Sequence, residues 1–225
     1  MRTVSVDAGR LARWCEGFAA RHGGPPGVLR DGPALVLTAP DGSVARLLPP
    51  FPLPDTATDL DGVLSWVAAD RRCAVLLVRR GGYACVAVDG ATVTASKVGT
   101  RYVQSRTAAG GWSQQRFARR RENQAQGLVE AAVETALRVL LGAHAEGMHT
   151  GPATRAQRPG SEWLVTGGDQ PLVSKALADP RLRVLAGLPR GPHLAVGDPR
   201  SDVVRALPDL IRRVSIQMTE PSDGT

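Results

Sequence analysis

Apolar residues follow two rhythms along this chain. From residue 7 to residue 22 they recur at helical spacing, with Leu11, Trp14, Cys15 and Phe18 on one face. Gly23, Gly24, Pro25 and Pro26 end that helix. The rhythm then shortens to two short strands, Ala34–Ala39 and Ser43–Leu48, joined at Asp41-Gly42, a pair that favours a hairpin turn. The proline-dense run Pro49–Pro54 reads as a semi-rigid connector. Beyond it, Thr58 or Asp59 is placed to cap a helix carrying Leu60, Val63, Leu64 and Val67.

A run of strands follows. Ala74–Val78 is apolar and β-branched, Arg79–Gly82 turns the chain, and Tyr83–Val88 alternates. Asp89-Gly90 marks another hairpin, and Thr92–Val98 with Thr100–Ser105 completes a meander. From Ser113 a helix is predicted to run towards Leu141. Leu128, Ala132, Ala136 and Leu140 lie beside Val129, Val133, Leu137 and Leu141 as a wide apolar stripe that must pack on the sheet. The first half of that helix is polar and Arg-rich, so it should project beyond the core.

Residues 142–161 read as a loose connector. A second alternating half is predicted beyond it: a strand at Trp163–Thr166, a helix near Leu172–Ala178, a strand near Leu182–Ala186 and a helix around Val203–Val214. This order makes an α/β protein with a mixed β-sheet flanked by helices. The expected division is an N-terminal helix-and-hairpin extension over residues 1–54 packed on the core, a main domain over 55–217, and a disordered tail over 218–225.

Composition changes the picture at one point. The 225 residues, 43% hydrophobic and 22% charged, are ordinary for a soluble protein able to bury a core. The 28 basic and 21 acidic residues leave a net charge of +7, and Lys occurs only at Lys97 and Lys175. Arg presents phosphate with a planar two-donor fork, which suits a nucleic-acid partner. High-GC coding also favours Arg, Ala, Gly and Pro, so the clustering of Arg carries more weight than its total. Cys15, Cys73 and Cys85 are widely spaced, without a CxxC pair, which points to core thiols and a reducing compartment rather than a disulfide framework or zinc site. There is no signal-peptide pattern and no apolar run of about 18 residues, so a cytoplasmic protein without a membrane partner is expected.

The Arg clustering is densest from Arg106 to Arg121, reading RTAAGGWSQQRFARRR. Gly110 and Gly111 let the backbone approach another molecule closely. Gln114 and Gln115 bring uncharged side chains that donate and accept hydrogen bonds. Arg116, Arg119, Arg120 and Arg121 follow, with no acidic residue before Glu122. A helix start ordinarily favours acidic side chains, so arginines there oppose local stability and imply an anionic partner. Trp112 either stacks on a nucleic-acid base or anchors the loop. Two other groups carry less: Gly167-Gly168-Asp169-Gln170 lacks following arginines and reads as a helix start, and His144 and His149 have no metal-site spacing.

These residues resemble the central, catalytic domain of class-I peptide-chain release factors of eukaryotes and archaea. Those proteins carry a Gly-Gly-Gln loop between a strand and a long helix, which opens with a phrase like Arg116-Phe117-Ala118-Arg119-Arg120-Arg121. The similarity covers roughly residues 70–215. It is closer to the Vms-like branch of peptidyl-tRNA hydrolases, whose actinobacterial members are similar over nearly the full length. The resemblance implies an RNase H-like mixed sheet with a catalytic loop between a strand and a long helix. With Gly110 and Gly111 on the family's glycines, Trp112 stands at the release factors' glutamine position. The Vms-like branch sets its glutamine one position further on, behind a serine. Here the first amide is Gln114, behind Trp112 and Ser113, with Gln115 as the alternative.

The implied activity is codon-independent hydrolysis of peptidyl-tRNA on stalled or split ribosomes, with the peptidyl-transferase centre of the large subunit and peptidyl-tRNA as partners. Arg106, Trp112, Arg116, Arg119, Arg120 and Arg121 would bind RNA, and Gly110, Gly111 and Gln114 or Gln115 would serve the chemistry. No cofactor or metal is called for, and a monomer is expected. Two alternatives stay open: an endonuclease of the same fold that cuts the tRNA 3′ end, and a ribosome-binding module without catalysis.

Overall fold

The computed structural model describes residues 1–100, 113–142 and 161–220, and for residues 113–121 the backbone alone. The chain divides into two compact units. One combines Met1–Asp70 with Asp209–Thr225, and the other is Arg71–Pro208. The boundary thus falls after Asp70 rather than after Pro54.

The first unit contains β1 (Arg2–Val6), α1 (Leu11–Arg21), β2 (Gly27–Asp31), β3 (Ala34–Thr38), β4 (Val44–Leu48), α2 (Leu60–Ala68) and β10 (Val214–Thr219). Its sheet has the order β1-β10-β4-β3-β2, antiparallel throughout. The hairpin at Asp41-Gly42 forms as expected, with Thr38 opposite Val44. The Asp41 carboxylate accepts from the Ser43 backbone N–H at 2.8 Å and lies 2.8 Å from His22 Nδ1. Asp59, of the two cap candidates, accepts from the Gly62 N–H at 2.8 Å. Leu11, Cys15 and Phe18 of α1 pack with Leu35, Leu37, Leu47, Val63 and Ile216, and Trp14 stacks on Phe18 with centroids 5.6 Å apart.

Arg30 holds the proline connector in place. Its guanidinium donates to the carbonyls of Leu53 at 3.0 Å, Ala57 at 3.2 Å and Pro54. One planar fork therefore fixes a segment whose prolines lack backbone N–H groups of their own.

The second unit contains β5 (Arg72–Arg79), β6 (Gly82–Asp89), β7 (Thr92–Thr100), α3 (Ser113–Leu140), β8 (Trp163–Gly168), α4 (Gln170–Leu177), α5 (Arg183–Ala186), β9 (Arg190–Leu194) and α6 (Ser201–Leu210), whose last residues pass into the first unit. The sheet order is β7-β6-β5-β8-β9. β5, β6 and β7 form an antiparallel meander, and β5, β8 and β9 run parallel. This is the mixed sheet that the RNase H-like resemblance implies. β5 is central, and Cys73 through Val78 are all buried. The predicted stripe of α3 packs as expected, with Leu128, Val129, Ala132, Val133 and Ala136 buried against Leu76, Val78, Cys85 and Leu164.

Four expectations need correction. The strand expected at Leu182–Ala186 is helical: a 3-10 turn at Pro180–Leu182 leads into α5. Asp179 starts that turn by accepting from the Arg181 N–H at 2.9 Å, and Leu182 and Leu185 are buried at helical spacing. The strand itself comes later, as β9, where Pro192 is tolerated because the strand lies at the sheet edge. The helix expected to reach Val214 ends at Leu210. From Val214 the chain is a strand, with Met218 paired to Arg2 and Ala45, so residues 218 and 219 belong to the fold and not to a disordered tail. The break expected between Val98 and Thr100 is absent, since β7 is continuous through Gly99. The strand predicted to continue to Ser105 lies outside the described residues.

Candidate nucleic-acid interface

The sequence-predicted loop is entered from one defined end of the second unit's sheet. Thr100, the last residue of β7, pairs with Gly82, which also pairs with Arg79 at the end of β5. Val78 pairs with Gly168, and Gly167 with Leu194. The ends of β5, β7, β8 and β9 therefore share one edge of the sheet. In open α/β sheets the carboxyl ends of parallel strands are where ligands gather.

Close packing fixes that edge. A Cβ on Gly99 would lie 2.2 Å from Cζ of Tyr83, so the Tyr83 ring occupies the space left by the absent side chain. The Tyr83 hydroxyl accepts from Thr135 of α3 at 3.1 Å, with both residues buried. Gly168 has φ +91° and a Cβ there would meet the Val78 carbonyl oxygen at 2.4 Å. The phrase Gly167-Gly168-Asp169-Gln170 is thus explained by the strand-to-helix junction, as its sequence suggested, with Asp169 at the N-cap of α4 and Pro171 in its first turn.

Charged groups that the sequence did not single out meet at the same edge. Arg79 donates to the Val196 carbonyl at 2.8 Å. Arg80 is 69% exposed and lies 3.8 Å from Asp169. Arg200 stands 3.8 Å from Asp198. In the sequence, Arg79 and Arg80 looked like turn residues, and only the strand register brings them beside the point where the chain enters residues 101–112. The surplus of basic residues lies wholly within Arg71–Pro208; the rest of the chain has more acidic than basic side chains.

Arg106, Gly110, Gly111 and Trp112 lie outside the described residues, as do His144 and His149. Gln114, Gln115, Arg116, Arg119, Arg120 and Arg121 fall on the helical backbone of the first turns of α3, and their side chains are not among those described. The first turn of α3 holds no acidic residue. Glu122 and Asn123 are exposed, and among the described side chains of the helix the first buried one is Leu128, about 22 Å from Ser113 at 1.5 Å per residue.

The three cysteines are buried and unpaired. Burial pushes the thiols up, Cys15 to about 11 and Cys73 and Cys85 to about 12, so they stay protonated near neutral pH and are poor nucleophiles. Among the described residues, no group of three or more His, Cys, Asp or Glu is placed to hold a metal ion, and no helix is long and apolar enough to cross a membrane.

Residues 71–217 match the family described as the Actinobacteria/chloroflexi VLRF1 release factor. No curated protein matches the chain. The matched segment covers about two thirds of the sequence, and the chain belongs to that release factor family.

Proposed function

We propose that this release factor family member is a codon-independent peptidyl-tRNA hydrolase that frees nascent peptide from stalled or split ribosomes. The observation that carries the reading is the family match over residues 71–217, which includes the glycine pair that follows β7 in sequence and the amides and arginines of the first turns of α3. Arg116, Arg119, Arg120 and Arg121 engage RNA backbone, with Arg106 and Trp112 beside the reacting end. An uncharged amide is a poor base. Gln114 therefore positions a water and, with backbone N–H groups near Gly110 and Gly111, binds the charge that develops on the ester carbonyl oxygen. The ester is already activated and the ribosome orients it, so placing water is the main demand on the protein.

The test is incubation of the purified protein with large subunits carrying peptidyl-tRNA, followed by analysis of both products. Free peptide with an intact tRNA 3′ end supports hydrolysis. A shortened tRNA would replace that reading with endonuclease action, and binding without turnover would leave a docking module.

A further inference from the structure

The second unit carries a cleft lined by residues of α4, β8 and β9. It has a volume of about 550 Å³, between α4 and β9. Clefts of roughly 300–1,000 Å³ are the size that takes nucleotide-sized ligands. Its polar wall is formed by Thr166, Gln170, Ser174, Arg190 and His193, and Val173 and Leu177 supply an apolar floor. No acidic side chain among the described residues lines it.

Three of the polar groups, Thr166, Arg190 and His193, are held in place. His193 Nε2 lies 3.3 Å from the Gly168 carbonyl, which can only accept, so this nitrogen carries a proton. In the neutral ring Nδ1 then accepts from the Thr166 hydroxyl at 2.9 Å. Both ring nitrogens are therefore occupied, and the imidazole acts as a fixed wall. Arg190 donates one N–H to the Ala186 carbonyl at 3.2 Å, which anchors the side chain and leaves most of its five donors for a ligand. Gln170 opens α4 and Ser174 lies one turn further on, an amide and a hydroxyl that can both donate and accept.

We infer that this cleft binds a nucleoside monophosphate unit, with the Arg190 guanidinium on the phosphate and Gln170 and Ser174 on the edge of the base. A phosphate takes the planar fork of Arg better than it takes a single ammonium. The apolar floor suits a base or ribose face. That chemistry is shared by a free nucleotide and by one unpaired nucleotide of an RNA strand. The RNA source rests on the RNA-directed reading of this unit; the cleft's chemistry stands without it.

The experiment uses the full chain with Arg116→Glu, Arg119→Glu, Arg120→Glu and Arg121→Glu, so that the N-terminal turns of α3 repel RNA rather than bind it. Fluorescence anisotropy of a labelled five-nucleotide single-stranded RNA reads binding directly, and AMP binding is read by shifts of the backbone amide signals of residues 166–193. Arg190→Gln and Ser174→Trp, which removes the charge and fills the cleft respectively, should each weaken binding about tenfold or more at an unchanged melting temperature. AMP binding that both variants lose identifies the free nucleotide as ligand, and RNA binding without AMP binding identifies the strand. Binding unchanged in both variants, or no binding of either probe, overturns the inference. Failure of peptide release would show in the ribosome assay and would leave this result intact.

Discussion

The Thr135 hydroxyl donates to the Tyr83 hydroxyl at 3.1 Å inside the second unit. It joins α3 to β6, and the Tyr83 ring in turn fills the space beside Gly99, one residue before β7 ends. The strand that leads into the glycine loop and the helix that follows it are thus tied through one buried pair. Tyr83→Phe should lower stability by about 1–2 kcal/mol, because the Thr135 hydroxyl loses its partner in a buried position. The double change Tyr83→Phe/Thr135→Val should recover part of that loss. Urea unfolding of the three variants measures both effects, and a double variant less stable than the single would refute the pairing argument.

Arg30→Met keeps much of the side-chain volume and removes the donors to Leu53, Pro54 and Ala57. The cost should be on the order of 1–3 kcal/mol, with the apolar stem still packed. Limited proteolysis should cut residues 49–58 faster in the variant. Equal cutting rates would show that the prolines hold the segment without the clamp.

Acid should weaken the first unit partly through Asp41. A hydrogen bond from the Ser43 backbone N–H, then one with His22, holds its carboxyl below the usual carboxylate range. A lowered folded value means that the contribution is fully present above the ordinary value near 4 and is lost as pH falls through the folded value. Asp41→Asn should therefore melt lower at neutral pH and depend less on pH below about 4. Parallel melting curves for the two proteins across that range would remove Asp41 from the account.

Gln114→Ala should abolish peptide release while ribosome binding stays near wild type, since the amide is proposed to act in the transition state and the arginines in the ground state. Full activity in Gln114→Ala with loss in Gln115→Ala would move the role by one residue. Release surviving the double change would end the glutamine mechanism.

Arg116, Arg119 and Arg120 are spaced i, i+3 and i+4 on the helical backbone of α3, which puts their positions on one face. Reversing all three to Glu should weaken binding to large subunits and flatten its salt dependence, since each lost phosphate contact removes about one counterion from the release term. The melting temperature should hold, because the core contacts among the described side chains of α3 come from Leu128 onward. Cosedimentation across a salt series checks this, and an unchanged salt slope would make these turns a solvated helix face.

What the sequence disclosed follows the strength of its local signals. The Asp41-Gly42 hairpin, the Asp59 cap and the stripe of α3 each rest on neighbouring residues, and each could be read directly. β9 could not, because Gly191 and Pro192 interrupt a five-residue edge strand while Leu182, Val184 and Ala186 alternate like a strand a few residues earlier. β1 and β2 are equally short, and β1 pairs with β10, more than 200 residues away in sequence. The glycine, amide and arginine phrase was visible as chemistry in the sequence. The grouping of Arg79, Arg80, Asp169 and Arg200 at the loop's point of departure was not, since it exists only through strand register.

The placement of β10 bears on the order in which the chain can be assembled. Residues 71–208 are contiguous and close their own sheet, so this unit can fold as soon as it leaves the ribosome. The first unit's β1 and β4 meet only through Val214–Thr219, which is synthesised after the whole of the second unit. Residues 1–70 must therefore wait, with one side of β4 unpaired and β1 without the partner it has in the sheet, until the second unit has been completed. The larger unit is, in effect, an insertion within the smaller one, and a chain stopped before Val214 would keep a finished second unit beside a first that cannot close.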